Sequence, residues 1–141
     1  MAASRSYVGL KRLTRNDVSW LESGSKSHQC AINLPHGGFS EMFGDILDAV
    51  GDKPRKGFDT HWYRQSGHEI ASAECEVAFY RSKSEFRLMH IPRSKTRPVL
   101  KEGHLLAIRR SGGELHITPL PANGEHLVRE LGRHDLVDRL P

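Results

Sequence analysis

A chain of 141 residues has room for one domain with a core of its own, needing neither disulfides nor a metal to hold it. Only 37% of its residues are apolar, and no run approaches the roughly 18 apolar residues of a membrane span. The polar opening stretch, 1–6, lacks the apolar core of a secretion signal, so no membrane role is expected and the cytoplasm is the expected compartment. The net charge is a modest +4, yet Arg81, Lys83, Arg87, Arg93, Lys95 and Arg97 crowd around a single acid, Glu85. Such a run is either a solvated ribbon or a polyanion contact, because clustered cations release counterions when they meet phosphates.

In chain order, stretches with the two-residue period of strands recur. They are 7–13, 29–34 (stopped by Pro35), 58–63, 74–80, 85–90, 104–108 and 114–117. The last two flank Arg109-Arg110-Ser111-Gly112-Gly113, a hairpin signal. Helical spacing occurs twice. Phe39, Met42, Phe43, Ile46 and Leu47 form a stripe in a helix expected over 39–50, with Ser40 as its cap. A second helix is expected over 125–131, with Leu127, Val128 and Leu131 on one face and Gly132 as a stop. Together these predict a mostly β, seven-stranded open barrel with two short helices, in one domain over 1–141, with 133–141 either a tail or a linker.

Catalytic signatures are missing from the sequence. None of the nine histidines has another at i, i+4, and no HExxH or Cys-His zinc pattern occurs, so most read as surface or turn residues. Cys30 and Cys75 lack CxxC spacing and read as buried thiols. A metal-dependent nuclease needs an acid followed by [Asp/Glu]-x-Lys, and no acid here has a lysine two positions on. GxSxG, GxGxxG and the Walker loop are also absent. No chemistry is expected within this chain.

Two polar, basic loops borne on strands remain, 14–28 and 81–85. Loops of this kind fit a major groove, where Arg and Lys donate to guanine, Asp and Glu accept from cytosine, and Asn pairs with adenine. Phosphates repel a carboxylate, so Glu85 needs a reason: it either reads a cytosine amine or holds Arg81 or Arg87 in a salt bridge.

The run Val8-Gly9-Leu10-Lys11-Arg12-Leu13-Thr14-Arg15-Asn16-Asp17, followed by Ser27-His28-Gln29-Cys30-Ala31-Ile32-Asn33-Leu34-Pro35, resembles the start of the amino-terminal domain of EcoRII-type restriction endonucleases. Residues 74–80 and Ser84-Glu85-Phe86-Arg87 are similar to that family's second recognition segment, and Pro98-Val99-Leu100 with 104–108 to the stretch beyond that segment. The resemblance covers residues 7–120. It implies a DNA-binding pseudobarrel akin to plant auxin-response-type domains, with two arms gripping duplex DNA from the major-groove side. The first arm would bring Lys11, His28 and Asn33 to the DNA, with Ser25 and Lys26 in its loop. The second would use Arg81, Lys83, Ser84, Glu85 and Arg87, with Glu85 and Arg87 reading bases. The implied target is a short, unmethylated C/G-rich site such as CCWGG. The chain departs from the family in three places: Asn33 stands for an aromatic hydroxyl, Phe86 for a lysine, and the run from Tyr80 to Glu85 is shorter.

The expected function is therefore sequence-specific duplex binding, as the target-recognition domain of a type II restriction endonuclease. The expected partners are double-stranded DNA and a catalytic nuclease domain in cis or in trans. No cofactor is expected for this domain, and Mg²⁺ only in the attached nuclease. The alternative is a β-barrel that binds single-stranded nucleic acid or RNA without enzymatic activity, stacking bases on Phe58, Trp62, Phe79 and Phe86, although alternation points these inward. A third reading is a protein-interaction domain whose basic ribbon meets an acidic partner.

Overall fold

The computed structural model of the protein describes residues 7–22 and 30–124. Seven strands form on the alternating stretches: β1 (Tyr7–Arg12), β2 (Ile32–Pro35), β3 (Arg55–Tyr63), β4 (Glu69–Tyr80), β5 (Glu85–Met89), β6 (Leu105–Ser111) and β7 (Glu114–Leu120). Pro35, expected to stop the second strand, is its last residue, which an edge strand tolerates because no ladder bond is lost on the open side. They pair in the order β1-β6-β7-β3-β4-β5-β2, all antiparallel except β3 and β7, which run parallel. The sheet curls until it nearly closes into a barrel, with one unsealed seam at its edge strands, β1 and β2. The protein is thus mostly β and seven-stranded, as the alternation implies.

The two-residue period decides what fills the barrel. Phe58 and Trp62 of β3, Cys75, Val77 and Phe79 of β4, and Phe86 and Leu88 of β5 are all buried. They meet Ile32 and Leu34 of β2, Leu106 and Ile108 of β6, and Leu115 and Ile117 of β7 in one core. The Cys75 thiol lies 3.3 Å from the Thr60 hydroxyl, and its burial pushes its pKa up. Cys30, two residues before β2, is only half-buried, unlike the buried thiol expected there.

Four short helices are present among the described residues. The helix expected over 39–50 is two pieces, α2 (His36–Phe39) and α3 (Gly44–Leu47), with Ser40 closing the first rather than capping the whole. The break falls at Phe43, whose backbone (φ −113°, ψ 32°) leaves the helical basin immediately before the weak helix former Gly44. The apolar stripe still does its work: Phe39, Met42, Phe43 and Ile46 are buried. The polar loop expected over 14–28 opens with α1 (Arg15–Val18), because Thr14 and Asp17 cap it reciprocally, and a 3-10 turn (Ser19–Leu21) follows. The fourth, α4 (Arg93–Thr96), has no counterpart in the sequence reading and is braced by the Thr96 hydroxyl donating to the Pro92 carbonyl at 2.8 Å. The helix expected over 125–131 and the tail 133–141 lie outside the described residues.

Side chains, not backbone, bridge the seam. Asp17 is 2% exposed. Its Oδ2 accepts from the Thr14 N–H (2.8 Å) and hydroxyl (2.9 Å) and lies 3.2 Å from Lys11 Nζ on β1. Its Oδ1 accepts from the Asn33 N–H on β2 at 3.1 Å. One carboxylate therefore joins the two edge strands. Further along the seam α2 packs onto β1, where a Cβ at Gly9 would overlap the Phe39 ring, so only glycine fits.

Removing a partner from a buried ion pair strands the other charge. Asp17→Ala is expected to cost about 3 kcal/mol of unfolding free energy. Urea denaturation should show this as a lower midpoint with an unchanged slope.

Candidate nucleic-acid interface

The turn between β4 and β5 is built from Arg81, Ser82, Lys83 and Ser84, all exposed. The Lys83 N–H donates to the Tyr80 carbonyl (3.1 Å), and Ser84 adopts φ 50°, a left-handed turn that lets the chain reverse. β5 then starts at Glu85, in register with Tyr80 on one side and Pro35 on the other. Arg87 lies between Ala78 of β4 and Asn33 of β2. Because the period is two, Phe86 is fully buried and Glu85, Arg87 and the exposed Asn33 share the outer face.

On that face Arg87 is held before any partner arrives. Its Nη2 and Nε donate to Glu85 Oε1 at 2.9 and 3.3 Å. Its guanidinium carbon sits 4.1 Å from the centre of the Tyr80 ring, which Lys53 Nζ also approaches, at 5.2 Å. The small Ala78 leaves room beside it. Glu85 thus makes the salt bridge that the sequence reading left open, with Arg87 and not with Arg81, and the pair uses only one of its carboxylate oxygens.

Arg81 turns back into the fold. Its guanidinium donates to the carbonyls of Gly51 (2.7 Å), Ala49 (2.7 Å) and Leu47 (3.1 Å), tying the turn to the end of α3. Lys11 has 12% of its side chain exposed and is spent on Asp17. Asn33, Lys83, Ser84, Glu85 and Arg87 therefore gather on one surface, Lys11 adjoins it through Asp17, and Arg81 supports it from behind. Ser25, Lys26 and His28 lie outside the described residues.

The residues on either side of 23–29 are described. Trp20 Nε1 donates to the Ala31 carbonyl at 3.0 Å, and the Ile91 N–H to the Cys30 carbonyl at 3.1 Å. Trp20, Cys30 and Ala31 thus lie at the Met89 end of the β2–β5 pair, and the 81–84 turn at the Glu85 end. The Asn33–Arg87 row lies between the two ends.

The sequence gives little warning of Tyr80, Lys53 and Asp17. Tyr80 reads only as the last residue of a strand, and its place under Arg87 follows from register. The Thr14–Asp17 capping signal was legible, but not that the same carboxylate would reach Lys11 and Asn33. Phe58, Trp62, Phe79 and Phe86 are all at most 5% exposed, so none of them offers a face to a base.

The outer surface of β3 and β4 carries the opposite charge. A groove of about 460 Å³ there is lined by Asp59, Glu74, Glu76, His90 and Gly57, among others. Among the described residues no group of three or more His, Cys, Asp or Glu side chains is placed to hold a metal ion. No protein-family model matches the chain, and no curated protein matches its sequence.

Since Arg81 fastens the turn, Arg81→Ala is expected to lower stability by about 1–2 kcal/mol through the lost carbonyl contacts. Urea unfolding measures this, and an unchanged midpoint would show that the turn stands without it.

Proposed function

We propose that this chain binds double-stranded DNA sequence-specifically through the outer face of β2 and β5, as the target-recognition domain of a type II restriction endonuclease. The observation that carries the reading is Arg87, fixed by Glu85 and Tyr80 beside Asn33 and between the two ends of the β2–β5 pair. An arginine whose fork is already oriented loses little freedom on meeting a base, which suits bidentate recognition of guanine.

In this reading the two loops straddle the duplex and the strand row faces its major groove. Lys83 and Ser84 take phosphates, which supply affinity and register but no sequence information. Arg87 donates to O6 and N7 of a guanine. Glu85 keeps Arg87 on Oε1 and accepts a cytosine amine on Oε2, so the two side chains read neighbouring C·G pairs. The Asn33 carboxamide suits an adjacent adenine. Together they fit a short C/G-rich site of the CCWGG kind. Cleavage belongs to a nuclease domain, in cis or in trans, that supplies its own Mg²⁺, and the site of action is the cytoplasm. No helix among the described residues is long and apolar enough to cross a membrane.

The test begins with selection of a preferred site from a randomised duplex pool at near-physiological salt. Glu85→Ala and Arg87→Ala should each lose about 10- to 100-fold in preference for that site over random duplex, the worth of one good base contact. Lys83→Ala should weaken both alike and lower the slope of log K against log salt by about 1. A pool that yields no preferred duplex, or tighter binding to the single strand, ends the proposal.

A further inference from the structure

β3 is the middle strand of the seven and lies across the barrel from the seam. It joins the β1-β6-β7 half to the β4-β5-β2 half through its parallel ladder with β7, four register pairs from Asp59↔Glu114 to Trp62↔Ile117. The β3–β4 ladder on its other side has nine, and parallel pairing is the weaker kind per residue. This joint also carries like charges: Asp59 faces Glu114 on one side and Glu74 on the other.

Over the joint lies a cluster that the proposed DNA face does not use. His61 of β3 has Nδ1 at 2.6 Å from Glu69 Oε1 of β4 and Nε2 at 2.9 Å from Glu114 Oε1 of β7. A neutral imidazole has one N–H and would turn a lone pair toward one of these carboxylates. Only the imidazolium donates to both. Directly opposite, the His116 ring stacks on His61 with centroids 5.0 Å apart, and its Nδ1 lies 2.8 Å from the Tyr63 hydroxyl. Burial, Arg109 and the stacked His61 disfavour a second charge there, so the His116 ring is the neutral one. The two imidazoles thus hold one added proton between them, and the carboxylates place it on His61.

We propose that His61 is a proton-operated clamp whose imidazolium, bridging Glu69 and Glu114, fastens the parallel joint, and that loss of this one proton loosens it. Once His61 is neutral, Asp59, Glu69, Glu74 and Glu114 repel one another across three strands, and of the cations facing the cluster Arg109 of β6 remains. The hydrogen bond that His61 donates to Glu69 raises its pKa above the ordinary 6.5, against burial and with help from Glu114. Burial, then Arg109 and His61, push His116 below the same ordinary value. A raised pKa gives stability that is complete below 6.5 and lost as pH rises through the folded-state value. A lowered pKa, as at His116, gives stability present above 6.5 and lost as pH falls through its folded value. The joint is therefore tightest near the ordinary histidine pKa and loosens on the alkaline side when His61 lets go.

The test follows the ring protons of His61 by NMR in the full chain between about pH 5 and 9, a span chosen to bracket the ordinary histidine pKa. The expected midpoint lies above 6.5, and it should fall back toward that value in a Glu69→Gln/Glu114→Gln double variant. Amide protection at Asp59 and His61, whose N–H groups face β7, corrected for intrinsic exchange and referred to Val77 and Leu88, should drop severalfold as the wild type passes that midpoint, and stay flat in the variant. A His61 midpoint at or below 6.5 in the wild type alone overturns the clamp, as does an equal loss of protection in both proteins.

Discussion

Two edge strands that do not hydrogen-bond to each other must be joined by something else, and here a single buried carboxylate does it. Asp17 reaches Lys11 on one edge and the Asn33 N–H on the other while capping α1 through Thr14. Burying a charge is costly unless it is paired and hydrogen-bonded, and Asp17 has four such contacts on its two oxygens. Through it the cap, the seam and the position of Asn33 become one arrangement. It also blunts the exposed edges that a nearly closed barrel would otherwise leave open to other chains.

What that arrangement presents to solvent is the outer face of β2 and β5, with Asn33, Glu85 and Arg87 on it. Partly exposed ion pairs contribute about 0–1 kcal/mol, so the Glu85–Arg87 pair adds little to holding the barrel together. Its consequence is geometric. With Glu85 at its side and Tyr80 beneath, the guanidinium has one orientation, and the fully buried Phe86 prevents the strand from slipping and turning both side chains inward.

Charge is sorted by position more than by amount. Of the six cations between residues 81 and 97, Arg81 closes a loop, Arg87 is paired with Glu85, and Arg93 donates to the Cys30 thiol at 3.9 Å. Lys83, at one end of β5, and Lys95 and Arg97, on and just after α4 beyond its other end, are exposed. The acids collect instead on β3, β4 and β7, where His61 lies between two of them. The barrel thus has a charged fastening on each side, Asp17 at the seam and His61 at the parallel joint, each joining groups from strands that backbone pairing joins weakly or not at all.

Strand positions and burial were legible in the sequence, because alternation has a period of two and the burial of Phe58, Trp62, Phe79 and Phe86 follows from it. So were the glycine-bearing hairpin between β6 and β7 and the run of basic residues. The break at Phe43 was not, since an apolar stripe reports which residues face the core and not whether the backbone between them stays helical. Nor was the fate of individual charges. Arg81 and Arg87 look alike as letters in a basic run. Only the return of the chain after α3 gives Arg81 its carbonyls, and only the β4–β5 register sets Tyr80 beneath Arg87. Local periodicity depends on neighbours in sequence and can be read there. The partner of a long charged side chain is chosen among residues brought close by folding, and that choice belongs to the tertiary structure.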